Sequence, residues 1–319
     1  MDTQVPGRSR KGILIAAFIW ITILLVLGVA GRYFVLPKIQ EWRAKDTGSE
    51  SQYKHKIAIA ADAFSGYAVL RSEAFRKLMK EDGIKVDVQG DKADYEKRTK
   101  ALRDGDVEMA VYTVDSLITS GAALFDKPSK FPASIVTVID QTVGGDAIVA
   151  YKSGVGKIAD LDRADARIVM TCNSPSEFLA RILVAQFSLP ALPEKWQECV
   201  DGPEAVLAAM KSTDPKAHKA FVLWEPFVSQ ALQLPDTHVL LDSGKCQDCI
   251  VDVLVARREF LAEHPDRVEQ VVAAYFRALY SYSQRDEDFV QFVKADAEAT
   301  GQPLTDELAK RVVSGIQWK

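Results

Sequence analysis

The chain has 319 residues, 48% of them hydrophobic and 26% charged, with a formal net charge of −4. This composition is typical of a globular protein, and the length exceeds what one hydrophobic core usually serves, so two lobes or domains are expected. The slightly acidic balance argues against a nucleic-acid-binding surface, and four histidines in the whole chain argue against a histidine-rich metal site.

The first feature along the chain is an uncharged apolar run over residues 12–31. About 20 such residues at ~1.5 Å rise span the roughly 30 Å hydrocarbon core of a bilayer. A cleaved signal peptide has a shorter apolar core, although residues 28–30 could serve as a small-residue cleavage site. We therefore predict a cytoplasmic tail over 1–11, a single-pass inner-membrane anchor over 12–36 and a polar tether over 37–53, with the main domain on the periplasmic side.

The next segment, up to residue 139, alternates short apolar strands with helical patterns. Strands are predicted over 56–61, 84–88, 108–114 and 133–139. Helices are predicted over 68–80, over 94–104 and from 116 to 123, and the charges of the second are interpreted as a solvated face. Strands alternating with helices of this length indicate βαβ units and a largely parallel sheet.

Residues 140–150 organise the whole chain. Gly144 and Gly145 interrupt an otherwise apolar run over 134–150, and glycine permits a sharp bend or a close backbone approach. We interpret this as the place where the chain leaves one lobe and enters a second, with a return near 250–256. The predicted lobes are 54–145 with 251–319, and 146–250. One buried strand with an ordinary bulge is the alternative.

The second lobe repeats the same alternation. Strands are predicted over 167–170, 196–200, 220–223 and 238–241, and helices over 174–187, 203–210 and 227–232. After the return, helices are predicted over 258–264, 266–283, 286–299 and 305–315. The fold class is therefore α/β with two lobes.

Several short motifs occur in an order that resembles one known family. They are residues 64–67, 101–106, 144–149, 158–161, 174–179, 224–226 and 252–256. Over about 55–319, the chain resembles the periplasmic substrate-binding proteins of ABC transporters, of the type that binds aliphatic sulfonates, taurine, nitrate and thiamine precursors. The resemblance implies a type II binding-protein fold with a ligand cleft between two lobes.

The same resemblance implies a small-molecule ligand, such as a sulfonate, nitrate or pyrimidine, and an ABC permease as partner. The chain departs from the family in having Asp-Arg-Ala-Asp at 162–165, where a Lys-Gly-Lys-like turn is usual. It also lacks the cysteine-rich stretch of the eukaryotic thiamine-pyrimidine synthases, which argues against that enzyme.

Candidate cleft residues follow from the rule that ligands of open α/β sheets lie outside the carboxyl ends of the strands. Ser174 and Ser176 lie where a helix begins, so unpaired backbone N–H groups there could hold an anion, or Asn173 or Ser174 could simply cap the helix. The predicted ligand-binding residues are Phe64, Ser65, Tyr67, Tyr112, Asp115, Asn173, Ser174, Ser176, Trp224 and Glu225.

The aromatic and acidic members of this set leave the type of ligand open. Tyr67, Tyr112 and Trp224 could pack against the apolar part of a ligand or belong to the core. Glu225 and Asp115 could bind a cationic group or make structural hydrogen bonds. Oxyanion and amine ligands therefore both stay open.

The four cysteines are assigned to two disulfides, Cys172 with Cys199 and Cys246 with Cys249. Cys172 follows one parallel strand and Cys199 ends the next, which places them within disulfide range. Cys246 and Cys249 have the spacing of a redox motif, but they precede a strand-like run rather than opening a helix. No metal site or cofactor is predicted.

Two functions of different classes are compatible with these patterns. The first is a membrane-anchored solute-binding protein that serves an ABC importer, and the second is an anchored ligand sensor or cell-envelope interaction module with the same fold. An enzyme is not expected, since the sequence has no nucleophile elbow, phosphate-binding glycine loop or His-Glu-x-x-His motif.

Overall fold

The computed structural model describes residues 53–124, 131–246 and 248–319. The predicted tail and the anchor over 12–36 lie outside the described residues, as does nearly all of the tether. Within the described part, no helix combines the length and the apolar character that a membrane crossing needs. Tyr53–Lys319 forms one compact unit.

The first lobe is built on a six-stranded sheet with the order β2-β1-β3-β10-β4-β11. Its first strands pair in parallel, whereas β10 runs antiparallel to both β3 and β4. The strands are β1 His55–Ala61, β2 Ile84–Gly90, β3 Met109–Thr113, β4 Ala133–Thr142, β10 Val251–Arg257 and β11 Ile316–Trp318.

Eight helices belong to this lobe among the described residues. They are α1 Ala68–Arg71, α2 Glu73–Glu81, α3 Tyr95–Asp104, α4 Val114–Leu124, α8 Arg258–Glu263, α9 Pro265–Tyr282, α10 Asp286–Ala299 and α11 Asp306–Ser314. The helix predicted over 68–80 is broken in two. Ser72 is extended (ψ 155°) and its side chain accepts a hydrogen bond from the Phe75 N–H, so it caps α2 instead of continuing α1.

The second lobe is built on a five-stranded sheet with the order β7-β6-β8-β5-β9. Its strands are β5 Asp146–Tyr151, β6 Arg167–Met170, β7 Gln197–Cys199, β8 Lys219–Trp224 and β9 Thr237–Asp242, and its described helices are α5 Pro175–Gln186, α6 Gly202–Ser212 and α7 Phe227–Ala231. Strands β6, β7 and β8 are parallel, and β5 is antiparallel to β8 and β9. The predicted two-lobed α/β fold is confirmed.

The chain passes between the two sheets twice. It leaves β4 at Thr142 and enters β5 at Asp146, and it returns between Asp242 and Val251. Gly144 has φ +125°, a backbone conformation that residues with a Cβ rarely adopt. The apolar run over 134–150 is thus two strands in different sheets.

Buried apolar side chains fill both lobes. One cluster lies in the first lobe, and two lie on opposite faces of the second sheet. Trp224 stands on β8 of the second lobe, yet it packs with the buried cluster of the first. The two sheets are therefore in apolar contact through this ring.

Polar contacts and disulfides complete the framework. Gln230 Nε2 donates to Gln302 Oε1 across the lobes at 3.0 Å. The structure forms the disulfides Cys172–Cys199 and Cys246–Cys249, with Cα–Cα distances of 5.4 Å and 5.5 Å. The first joins the ends of the parallel strands β6 and β7, and the second lies in the return passage.

Candidate functional site

A narrow cavity with a free volume of about 10 Å³ lies where the two sheets face each other. Both lobes line it, so it can form in this shape only while they are close together. Its lining residues are Asp62, Phe64, Tyr67, Tyr95, Thr113 and Asp252 from the first lobe, and Asp146, Pro175, Trp224 and Ile250 from the second lobe and the return passage.

Strand register brings the acidic residues of the cavity together. On β10, Asp252 lies opposite Thr113 on β3 and opposite Asp140 on β4. In the second sheet, Asp146 at the start of β5 lies opposite Trp224 at the end of β8. Directly opposed residues of antiparallel strands have adjacent side chains. Each sheet therefore presents a buried carboxyl group, Asp252 on one side and Asp146 on the other.

These carboxyl groups carry free hydrogen-bonding capacity. Asp146 Oδ2 and Asp252 Oδ2 are buried and have no hydrogen-bond partner, and both oxygens of Asp140 are in the same state. The other oxygen of Asp252 accepts a short hydrogen bond from the Tyr67 hydroxyl. A buried polar atom without a partner costs free energy, so each such atom calls for an explanation, and a functional role is one of them.

Burial changes the protonation of this group of acids. It raises the pKa of Asp146 to about 7 and the pKa of Asp140 to about 8, with further increases from neighbouring carboxylates. The pKa of Asp252 is raised well above its usual range, first by burial and then by the charge of Asp140. Burial also raises the pKa of Glu225 to about 7 and that of Asp115 to about 6.

Asp62 differs because its charge is paired. Its Oδ2 accepts a hydrogen bond from Arg98 Nη2 at 2.9 Å, and Asp91 holds the same guanidinium group through Nε and Nη2. Arg98 is 1% exposed, so the prediction that the charges of α3 form a solvated face is wrong at this position. Burial alone would lower the pKa of Arg98, but the two carboxylates outweigh burial and raise it.

Four aromatic rings complete the wall of the cavity. The rings of Phe64 and Tyr67 meet edge to face with centroids 5.1 Å apart. Tyr95 is held from behind by Arg98, whose Cζ lies 4.5 Å from the ring centroid. Trp224 closes the cavity from the second lobe and is 4% exposed. The walls can therefore pack against an organic ligand on several sides.

The start of α5 does not offer free donors to an anion. The first residue of the helix, Pro175, has no N–H, and the Ser176 N–H donates to Ser174 Oγ at 3.2 Å. The Glu177 N–H donates to the Ser174 carbonyl, and the Asn173 N–H donates to Glu177 Oε2. Capping by Ser174, one of the two alternatives drawn from the sequence, is what the structure contains.

The predicted site residues fall into three groups. Phe64, Tyr67 and Trp224 line the cavity. Ser65, Tyr112 and Ser176 are buried in the lobes, where the Tyr112 hydroxyl lies 3.0 Å from Thr99 Oγ1 and does not reach the cavity.

The residues of the third group do not line the cavity. Glu225 accepts two hydrogen bonds from Ser229 and lies 3.7 Å from the Arg311 Nε of the first lobe. Asp115 stands on the first turn of α4, and Ser174 caps α5. Asn173 is exposed and has φ 55°.

Sequence reasoning missed most of the acids that line the cavity. Asp146 and Asp252 each begin an apolar run, at 146–150 and 252–256, and the sequence analysis uses those runs as backbone crossings and family motifs but not as sources of ligand-binding side chains. The available signal was an acidic residue at the start of a strand that is otherwise buried, since such a charge is costly unless it has a use. Tyr95 was also missed, because it lies on α3, whose many charged residues indicate a solvent-exposed helix.

A metal ion does not fit the arrangement. Among the described residues, no three His, Cys, Asp or Glu side chains are placed to hold one. The acids of the cavity are instead distributed over opposite walls, with aromatic rings between them.

Known proteins of solved structure share this architecture, whereas no protein-family model and no curated protein matches the sequence. The alkanesulfonate-binding protein SsuA of Xanthomonas axonopodis pv. citri, bound to MOPS, is 15% identical and superposes with a TM-score of 0.65 over 84% of this chain and 87% of that one. A zinc-bound ligand-binding component of an ABC-type import system from Staphylococcus aureus is 15% identical, with a TM-score of 0.64 over 83% and 85%.

The periplasmic nitrate-binding protein NrtA of Synechocystis is also 15% identical, with a TM-score of 0.59 over 81% of this chain and 69% of that one. These likenesses show that the chain has the fold of the periplasmic binding proteins of ABC importers, as the sequence motifs predicted. The three proteins are binding proteins rather than enzymes.

Proposed function

We propose that this protein is an extracytoplasmic solute-binding protein that captures one small polar molecule between its two lobes for an ABC importer. The observation that carries the proposal is the cavity between the sheets, lined from both sides and containing buried carboxyl oxygens without partners. A ligand that satisfies those oxygens stabilises only the arrangement in which both lobes contact it.

The fold supports the proposal without naming the ligand. The structurally similar proteins bind molecules as different as an alkanesulfonate buffer, nitrate and zinc, so the site of this chain has to be judged by its own residues. Capture requires no bond to be made or broken, and the acids and aromatic rings of the cavity suffice for it.

A ligand screen on the purified full chain tests the proposal. Sulfonates, nitrate, phosphate, pyrimidines and amines are compared by thermal unfolding followed through tryptophan fluorescence, and compounds that stabilise are taken to calorimetry. A compound present at 100 times its Kd stabilises the folded state by about 2.7 kcal/mol. We expect one chemical class to raise the melting temperature and to bind once per chain. If no class does so, the proposal fails.

We also propose that residues 12–36 anchor the protein in the inner membrane with the lobes outside the cytoplasm. The support is the uncharged run over 12–31, which is long enough to cross a bilayer as a helix. Reporter fusions after Ser51 should be active only with a reporter that works outside the cytoplasm. A mature N-terminus near residue 31 would instead identify a cleaved signal peptide.

A further inference from the structure

We propose that the ligand is a small organic cation that carries N–H donors, such as a protonated amine or a guanidinium compound. This inference rests on the proposed function, because it names the class of molecule that the cleft captures. It is carried by the charge of the cavity wall, by the oxygens that lack partners and by the rings around them.

The charge of the wall favours a cation. Three aspartates line the cavity, of which Asp62 is paired with Arg98, and none of the described lining residues is lysine, arginine or histidine. The nearby guanidinium group of Arg98 is already shared by Asp62, Asp91 and the Val111 carbonyl. An anion in this cavity would therefore face carboxyl groups without a counter-charge of its own, and the start of α5 offers it no free N–H in compensation.

The carboxyl oxygens without partners call for a ligand that carries N–H donors. Asp146 Oδ2 and Asp252 Oδ2 are buried, unpartnered and contributed by opposite lobes. An ionised carboxylate can only accept hydrogen bonds, so a ligand that satisfies both oxygens must donate at least two. A primary ammonium group has three N–H donors and a guanidinium group has up to five, whereas a quaternary ammonium group has none.

The aromatic residues and the volume limit the rest of the ligand. Phe64, Tyr95 and Trp224 line the cavity and can pack against the methylene groups of a ligand. The free volume of the cavity in this closed arrangement is about 10 Å³, which is room for roughly one water molecule. An organic ligand therefore has to hold the lobes further apart than they lie here, with its charged group near the aspartates and a short organic part between the rings.

The direction in which ligand affinity changes with pH also tests the charge of the ligand. Asp146 faces Asp115, Glu225 and Asp62 from neighbouring elements. Asp252 faces Asp140, Asp146, Asp62 and the Tyr67 hydroxyl. The cations nearby are Arg71, Arg98 and Arg311. A cation competes with protons for these carboxyl groups, so its binding strengthens as pH rises. A neutral or anionic ligand that accepts hydrogen bonds from protonated carboxyl groups would show the opposite trend.

The experiment compares ligands that share a carbon skeleton and differ in charge. The full chain is mixed with each of five compounds at equal concentration: butylammonium, butylguanidinium, butan-1-ol, butane-1-sulfonate and butyltrimethylammonium. Shorter and longer members of each series are tested in the same way. Melting temperature and calorimetric affinity are measured at pH 6, 7 and 8. We expect ammonium or guanidinium compounds to bind, with affinity increasing several-fold from pH 6 to pH 8, and the alcohols, sulfonates and quaternary compounds to bind at least tenfold more weakly.

Two isosteric variants locate the binding. Asp146→Asn and Asp252→Asn each remove one charge and keep an oxygen that can accept a hydrogen bond, so we expect tenfold or greater loss of affinity for the cation and little or no loss of thermal stability. Asp266→Asn is the matched control, since Asp266 is an exposed residue at the start of α9. It should leave binding unchanged.

The outcomes separate this inference from the proposed function. Binding restricted to sulfonates, or to any ligand that binds more tightly at low pH, would overturn the cation and leave solute capture intact. Cation binding that survives both aspartate variants would also overturn the inference, because it would place the ligand elsewhere. No binding in any series would overturn the inference and the proposed function together.

Discussion

Arg98 shows how a residue that looks solvated can hold a binding site together. It lies in a helix with many charged residues, which normally indicates an exposed face, but its guanidinium group is buried between Asp62 and Asp91 and against the ring of Tyr95. Two of these three neighbours line the cavity. The periodicity of one helix could not reveal this, because the partners come from the ends of other strands.

Replacing Arg98 should destabilise the first lobe strongly. Arg98→Met keeps much of the side-chain volume but leaves Asp62 and Asp91 buried without their cation, and breaking a buried ion pair in this way costs about 3–5 kcal/mol. Lys100→Ala is the control, because its partner Glu96 and Lys100 itself are largely exposed and an i,i+4 pair contributes only about 0.3–0.5 kcal/mol. Urea unfolding of both variants measures the difference, and equal losses would contradict the structural role given to Arg98.

Trp224 was predicted from the sequence as a cavity residue, and the structure places it against both the cavity and the buried cluster of the first lobe. Trp224→Ala should weaken ligand binding by about 2 kcal/mol or more, as expected for a central aromatic anchor. Trp196→Ala, in the core of the second lobe, should instead cost about 3–5 kcal/mol of folding stability. Calorimetry and unfolding curves distinguish them. If Trp224→Ala leaves the affinity per folded molecule unchanged, the site has been placed wrongly.

At the scale of secondary-structure elements, the two passages between the sheets follow from local chemistry. Strand β4 ends at Thr142 and β5 begins at Asp146, and the link depends on Gly144 at φ +125°. Gly145 has a different reason to be glycine, since a Cβ there would lie 2.9 Å from the Gly315 carbonyl oxygen. The glycine pair inside the apolar run lies at the passage from β4 to β5.

Gly144→Ala should destabilise the protein although the added methyl group meets no atom within 4 Å. The cost is backbone strain, about 1–3 kcal/mol for a residue held in a sparsely populated conformation. Gly90→Ala is a matched control, because its Cβ also has free space and its φ is not in the left-handed region. That change should be neutral or stabilise the protein by up to about 1 kcal/mol. If thermal unfolding shows Gly144→Ala to be more stable than Gly90→Ala, the backbone strain assigned to position 144 is contradicted.

Element type could be predicted from the sequence more readily than tertiary partners. Alternating strand and helix patterns located both lobes, since each pattern depends on nearby residues. The break at Ser72 was missed, because the apolar spacing continues through it while the side chain caps the next helix. The assignment of Asp146 and Asp252 to the cavity was missed as well, since it depends on pairing between strand residues 78 and 139 positions apart in the chain.

At the scale of the whole molecule, closing the lobes confines several carboxyl groups in one region. Asp140, Asp146, Asp252 and Asp115 come from four different elements and Glu225 from the turn after β8, and burial raises the pKa of each. Ionised together, they would repel one another. The ligand-free closed arrangement is thus stabilised by protons, and a bound cation can replace them.

This arrangement predicts that the ligand-free protein loses stability as pH rises. Each acid has a higher pKa in the folded than in the unfolded state, so its contribution is fully present below about pH 4 and disappears as pH rises through about 6 to 8. The melting temperature should fall by several degrees between pH 5 and pH 8. Asp146→Asn should reduce the slope, and a melting temperature that rises over this range would contradict the assignment.

The distance between the lobes tests most directly whether this molecule captures a ligand by closing on it. Spin labels on Lys77→Cys in α2 and Lys211→Cys in α6 report that distance by pulsed electron paramagnetic resonance, since both positions are exposed and the four native cysteines are paired. With the tightest-binding compound of the charge-matched series, the distance distribution should become narrower and shift to a single shorter value, and Asp146→Asn should abolish the shift. An unchanged distribution in protein that calorimetry shows to be saturated would contradict capture between the lobes.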